Sequence, residues 1–148
     1  MIDALLQILW AWIGSLGFLL IFNQRSLRLL IPGSLCGAFS WAVYLLCDMV
    51  FNMGIFLCSL WAAVFLALYA ELMARIIKAP TTVFIGPGII PLVPGSLLYY
   101  TMTHILQRSW RDALDFGLRT LSCALGIAAG IAVVSALGYM YRKIKNKS

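Results

Sequence analysis

The residues of this chain whose types could do chemistry are concentrated in a proline- and glycine-rich stretch just past its middle. The helix breakers in that stretch are Pro87, Gly88, Pro91, Pro94 and Gly95. Each proline inside a helix removes a backbone donor and clashes with the preceding turn, at a cost of about 3 kcal/mol or more. We therefore predict a broken helix here, whose free carbonyls and amides can bind ions and polar groups.

Polar side chains follow the break at the three- and four-residue spacing of one helical face. They are Ser96, Tyr99, Tyr100, Thr103 and His104. A hydroxyl-rich face that begins at a broken helix suits a small polar solute. The predicted substrate-binding residues are Pro87, Gly88, Pro91, Pro94, Gly95, Ser96, Tyr99 and Thr103. The alternative is a proline kink that serves packing, with tyrosine and histidine anchoring the end of the span at the membrane interface.

Coupling of transport to an ion would need a titratable group inside the protein, and the candidates are Glu71, His104 and Asp48. Glu71 has Arg75 one helical turn away, so a structural ion pair explains it equally well. His104 can titrate near neutral pH, although a hydrogen bond at the interface is the alternative. Asp48 falls near the end of a span and also suits the interface.

The sequence has no motif for catalysis or for metal binding. A single histidine excludes a multi-histidine metal centre, and the four cysteines form no C-x-x-C pair. We expect these cysteines to be small buried apolar residues, and we expect no metal and no cofactor. A membrane enzyme acting on lipid would lack a catalytic set, so we expect no enzyme.

The elements that must position these residues are apolar segments long enough to cross a bilayer. Only 11% of the 148 residues are charged, against about 25% in a typical soluble domain. The charges leave uncharged gaps of 21, 19, 22, 29 and 22 residues, and a crossing helix needs about 20. We predict an all-α integral membrane protein, a single membrane domain over 1–148 with about five transmembrane helices, the fourth broken. The predicted spans are 4–24, 29–48, 52–72, 81–106 and 118–141, followed by a basic cytoplasmic tail at 142–148.

Small residues one turn apart predict close helix packing in two of these spans. Gly33 and Gly37 lie in the second span, and the last span carries the stripe Ser122, Gly126, Gly130 and Gly138. The stripe predicts contact with another helix, either of this chain or of a partner. The polar linker 108–119 predicts a short surface helix with ion pairs four residues apart.

The basic residues are divided unevenly between the two sides of the predicted membrane domain. With five spans, eight of them fall on one side and three on the other. The positive-inside rule then predicts a cytoplasmic C-terminus and an external N-terminus. The basic tail predicts contact with anionic lipid headgroups, not with nucleic acid.

The central motif resembles the proline-rich core of a known transporter family. Residues 86–96, Gly-Pro-Gly-Ile-Ile-Pro-Leu-Val-Pro-Gly-Ser, followed by Tyr99, are similar to the motif of the threonine/serine exporter (ThrE) family. The resemblance is to its short form, which corresponds to the C-terminal membrane half of the full-length exporters. It implies about five spans and export of small hydrophilic metabolites, such as threonine and serine, or dicarboxylates in split relatives. It also implies dependence on the proton-motive force.

The same resemblance implies a partner, because split members pair a short subunit with a larger one that carries the other membrane half. We therefore expect a larger membrane subunit of the same family in the cell inner membrane, with a homo-oligomer as a further option. The alternative function is that of a non-transporting scaffold or assembly subunit, in which the glycines and the kink serve packing.

Overall fold

The computed structural model describes residues 2–24 and 26–145 of the chain. Arg25 and residues 146–148 of the predicted basic tail lie outside this described part. The described residues are 87% helical and contain no strand. The helices are α1 (Ile2–Ile21), α2 (Leu27–Met49), α3 (Ile55–Ile77), α4 (Thr82–Ile89), α5 (Gly95–Leu106) and α6 (Trp110–Lys145), with a 3₁₀ turn, Ile90–Leu92, between α4 and α5.

Most connections between the helices turn at one residue in a left-handed conformation. These residues are Asn23, Asn52, Lys78 and Arg108, with φ of 58°, 48°, 58° and 57°. A left-handed residue cannot continue a right-handed helix, so each one ends the helix before it. The connection between α4 and α5 has no such residue among these, and prolines interrupt the helix there instead.

The outer surface of the bundle is apolar, as a bilayer requires. Large apolar side chains such as Trp10 and Leu137 are 66% and 60% exposed. Soluble proteins rarely expose many large apolar side chains side by side. Four helices, α1, α2, α3 and α6, are long and apolar enough to cross a membrane. The pair α4–α5 gives a fifth span if it crosses as one unit, with a bend of 48°. The prediction of an all-α membrane protein with a broken fourth segment is confirmed.

The glycine stripe of α6 packs against α3 within the same chain. A Cβ atom at Gly126 would lie 2.6 Å from the carbonyl oxygen of Phe56, and one at Gly130 would lie 2.7 Å from that of Leu60. Only glycine allows the two backbones to come this close. Of the two predicted alternatives, a helix of this chain or one of a partner, these two glycines therefore contact a helix of this chain. We call Gly126 and Gly130 the glycine seam.

The first two helices also meet at glycines, but there the space is filled by side chains and not by backbone. Leu19 and Ser15 of α1 lie over Gly33 and Gly37 of α2, and a Cβ at Gly33 would be 2.9 Å from a methyl carbon of Leu19. The predicted close packing at Gly33 and Gly37 is thus found, with α1 as the neighbour.

The polar linker 108–119 does not form a separate surface helix. From Trp110 onward it is the first part of α6, which runs for 36 residues, or about 54 Å at 1.5 Å per residue. Of the predicted ion pairs, Arg119 and Asp115 are 3.0 Å apart. Asp112 lies 4.0 Å from the ring of His104, and Arg108 is in the turn before α6.

Candidate functional site: a broken helix between two cavities

The break between α4 and α5 leaves backbone carbonyls without their helical donors. In an α-helix the carbonyl of residue i accepts from the N–H of residue i+4, and proline has no N–H. Pro91 therefore cannot serve the carbonyl of Pro87, and Pro94 cannot serve that of Ile90. Pro87 itself lies inside α4, so the helix tolerates one proline and ends only where the next two follow.

Serine hydroxyls from two other helices bond to the carbonyls at the break. Ser15 of α1 donates to the carbonyl oxygen of Pro87 at 2.9 Å. Ser40 of α2 donates to the carbonyl oxygen of Gly88 at 2.9 Å and also lies 3.0 Å from the carbonyl of Gly37 in its own helix. Both serines are 0% exposed. Each bond thus replaces water at a carbonyl that burial would otherwise leave unpaired.

Glycines make this contact possible. A Cβ at Gly37 would overlap the hydroxyl of Ser15 and lie 3.3 Å from the carbonyl oxygen of Pro87. A Cβ at Gly88 would overlap Leu66 and lie 2.8 Å from the sulfur of Cys36. We call this buried layer, in which α1, α2 and α4 meet, the partition. Its members are Ser15, Cys36, Gly37, Ser40, Pro87 and Gly88.

One cavity opens beside the partition on the side of the α2–α3 connection, and we call it the proline cavity. Its volume is about 240 Å³, room for about eight waters at roughly 30 Å³ each. The rings of Trp41 and Tyr44 form part of its wall, stacked with centroids 5.1 Å apart. The other lining residues are Ile55, Pro91, Leu92, Val93, Pro94, Ser96, Leu97 and Cys123.

A second cavity, of about 380 Å³, lies on the other side of the partition, near the α1–α2 connection. We call it the α1 cavity. It is mostly apolar, with Gln24 and Thr82 as its polar side chains, and Pro87 reaches its wall. Its remaining lining residues are Phe18, Leu19, Phe22, Val83 and Gly86. The broken segment therefore contacts one cavity through Pro87 and the other through Pro91.

The predicted binding residues fall into three groups in the structure. Pro87 and Gly88 belong to the partition, while Pro91, Pro94 and Ser96 line the proline cavity. The third group, Gly95, Tyr99 and Thr103, lies outside both cavities, and Gly95 is exposed at the first position of α5.

Tyr99 and Thr103 lie away from both cavities. Tyr99 is 66% exposed, and the hydroxyl of Thr103 donates to the carbonyl of Tyr99 within the helix, at 2.9 Å. The polar face of α5 is therefore not one continuous binding surface.

A family model described as threonine/serine exporter, ThrE, matches residues 7–137. The chain belongs to the threonine/serine exporter (ThrE) family. The match bears out the resemblance of the central motif and makes the chain a multi-pass membrane component of a transporter family. No curated protein and no solved structure matches the chain significantly.

The three coupling candidates of this ThrE-family chain lie in different surroundings. Glu71 forms an ion pair with Arg75 at 2.8 Å, and its carboxylate lies against Gly138 of α6. Asp48 is exposed near the end of α2. None of the three lines the proline cavity.

His104 stacks on Phe116 of α6, with ring centroids 5.3 Å apart. Its Nδ1 is buried and has no hydrogen-bond partner within the described residues. The carboxylate oxygen of Asp112, at 4.0 Å, is too far for a hydrogen bond. His104 thus joins α5 to α6, and the described residues contain no group of three metal-ligating side chains around it or elsewhere.

Sequence reasoning missed Ser15, Ser40 and Trp41. A buried serine in a span looks like any small residue until the neighbouring helix is known. The signal that could have found Ser40 is its spacing from Gly33 and Gly37, since Gly33, Gly37 and Ser40 form one stripe of small residues on α2.

Proposed function

We propose that this chain is the membrane subunit of a secondary exporter of small hydrophilic metabolites, and that the solute binds in the proline cavity. Threonine- and serine-like amino acids or dicarboxylates are the proposed substrates. The observation that carries the proposal is a cavity of about 240 Å³ whose wall is the broken helix itself. Non-helical backbone at membrane depth is tolerated where protein buries it or where it lines a watery space, and here both conditions meet.

The chemistry of the wall suits a small solute with polar and apolar parts. Ser96 offers a hydroxyl, Tyr44 offers another, and the stacked rings of Trp41 and Tyr44 offer an apolar surface. Pockets that bind small molecules commonly combine apolar walls with a few placed polar groups. The site requires no covalent chemistry, in keeping with a transporter family.

We further propose that export depends on the proton-motive force and that a larger subunit of the same family completes the transporter. The exposure of α5 supports the second point. This helix has no buried residue and packs mainly against α6, so its outward side is available to another membrane helix. Positive-inside bias supports insertion in the cell inner membrane with the N-terminus outside and the C-terminus in the cytoplasm.

The proposal is tested by efflux from cells that lack other exporters and express the chain with its larger subunit. Cells loaded with threonine, serine or succinate should lose one or more of them, and an uncoupler should stop the loss. Ser96→Ala should weaken solute binding by about 1 kcal/mol if it donates one hydrogen bond, roughly fivefold in affinity.

Tyr99→Phe is the matched control, because it removes a hydroxyl from an exposed residue of the same helix that does not line the cavity. Equal loss of efflux in both variants, or in neither, would contradict a solute site in the proline cavity. The scaffold function would be favoured instead if the larger subunit needs this chain for stable assembly and the cavity variants still export normally.

A further inference from the structure

The two cavities lie at opposite ends of one buried layer. The α1 cavity adjoins the end of α1 and the start of α4, next to the α1–α2 and α3–α4 connections. The proline cavity adjoins the second half of α2 and the first residue of α3, next to the α2–α3 connection. The partition lies between them, and its serines are fully buried. A solute that crosses from one cavity to the other would have to pass this layer.

The side-chain hydrogen bonds within the partition are few and can be exchanged. Two hydroxyl-to-carbonyl bonds, from Ser15 to Pro87 and from Ser40 to Gly88, tie α4 to α1 and α2. Ser40 already has a second acceptor 3.0 Å away, the carbonyl of Gly37, so it can release Gly88 without losing all its partners. A serine in a helix can likewise bond to the carbonyl of the preceding turn, which gives Ser15 a local acceptor when it turns away.

The released carbonyls also have an alternative. The carbonyl of Pro87 has no donor in its own helix because residue 91 is proline, so it must accept from a side chain, water or a solute. Water or a polar solute in the α1 cavity, whose wall Pro87 reaches, can supply that donor. Separation of the serine hydroxyls from these carbonyls would therefore exchange one hydrogen-bond donor for another and would break no backbone hydrogen bond.

We propose that Ser15 and Ser40 are positioning residues that hold the partition closed, and that solute passes between the two cavities when their hydroxyls leave the carbonyls of Pro87 and Gly88. The proposal rests on the proposed function, since the partition controls passage only if a solute is transported. It adds what that function does not specify, namely the layer that separates the two sides and the two bonds that close it.

A native cysteine reports on the partition. Cys36 is 1% exposed and its sulfur lies against Gly88, so a water-soluble reagent reaches it only when the layer opens. Cys58 of α3 is 0% exposed and lines neither cavity. Its labelling therefore reports general loosening of the fold.

The experiment measures labelling in membrane vesicles that contain the full chain with its larger subunit. The reagent is a small charged methanethiosulfonate, and mass spectrometry gives the rate at each cysteine. In Ser15→Ala and Ser40→Ala, and most strongly in the double variant, labelling of Cys36 should rise about tenfold, the factor that corresponds to about 1.4 kcal/mol. Labelling of Cys58 should not change.

Ser122→Ala is the control, because its hydroxyl donates only to the carbonyl of Leu118 in its own helix, at 2.8 Å. It should leave Cys36 protected. The single variants each keep one bond of the partition, so they decide the question even if the double variant does not fold. Unchanged labelling of Cys36 in both single variants, or an equal rise at Cys36 and Cys58, would overturn the proposal.

Efflux from cells that express the same variants separates this proposal from the proposed function. The serine variants should lose threonine or serine even when an uncoupler is present, because an open partition leaks. If the unaltered protein exports none of the solutes, the proposed function fails, while the labelling of Cys36 still decides whether the serines close the layer. Efflux in the serine variants that stays fully sensitive to the uncoupler would count against the partition as the barrier.

Discussion

At Gly37 the absence of a side chain decides whether α1 can reach the broken segment. Gly37→Ala should destabilise the protein by about 1–3 kcal/mol, the usual cost of overpacking. Its Cβ would overlap the hydroxyl of Ser15 and crowd the carbonyl of Pro87. The thermal unfolding midpoint of the purified protein in detergent measures the effect.

Gly17→Ala on α1 is the matched control, since a Cβ there meets nothing within 4 Å. It should be neutral or stabilising by up to about 1 kcal/mol, because alanine is the better helix former. Adding Ser15→Gly to Gly37→Ala should restore only part of the stability, since it removes the overlap but also the hydroxyl that donates to the carbonyl of Pro87. A midpoint that falls equally in the Gly17 and Gly37 variants would contradict the contact between Ser15 and Gly37.

The residue scale is also where sequence reasoning reached least far. Periodicity put Ser96 and Tyr99 on one face and treated them alike, yet of these two exposed residues only Ser96 lines the proline cavity. A helical face spans a wide arc, and only the position of the neighbouring helices decides which part of it is covered. Ser15 was invisible for the same reason, because its acceptor is 72 positions away in the chain.

Among the elements, the segment from α4 to α5 depends most directly on single residues. Pro91→Ala would supply an N–H that can donate to the carbonyl of Pro87, so α4 would extend through the 3₁₀ turn. Proline inside a helix is about 3 kcal/mol worse than alanine, so the variant should insert normally and be at least as stable as the unaltered protein. It should also lose efflux, because the wall of the proline cavity would be rebuilt and Ser15 would face a competing donor.

Pro80→Ala is the control for this prediction, because Pro80 lies in the turn before α4 and not inside a helix. Circular dichroism, the unfolding midpoint and efflux should all stay close to those of the unaltered protein. For Pro91→Ala, lower stability with efflux reduced only in proportion would instead identify the break as a packing kink.

The existence of the elements could be read from the sequence, because each span is an interval between charges and each long apolar interval needs a helix. The break could be read as well, since no continuous helix accommodates Pro91 and Pro94 so close together. The start of α6 at Trp110 could not be predicted from the sequence. The ion-pair spacing of 108–119 fits a helix whether it stands alone or continues into a span, and nothing in that stretch interrupts the helix after Trp110.

At the scale of the whole molecule, the uneven distribution of basic residues predicts an orientation in the membrane with the C-terminus in the cytoplasm. A reporter that is active only in the cytoplasm should work when fused to the C-terminus and fail at the N-terminus. The same fusions to a version lacking residues 1–24 should keep an active C-terminal reporter, since the remaining loops retain their bias. A C-terminus outside the cytoplasm would mean that α4 and α5 enter and leave on one side.

The glycine seam restricts how α3 and α6 can move against each other. Where backbone lies on backbone, neither α3 nor α6 can rotate or slide without collision at the level of Gly126 and Gly130. If solute crosses the partition as we propose, the movement would then fall to α4 and the helices bonded to it through Ser15 and Ser40. Within the membrane-spanning helices, amide hydrogen exchange should accordingly be slowest at the glycine seam and faster in residues 88–93, where prolines interrupt the helical hydrogen bonds.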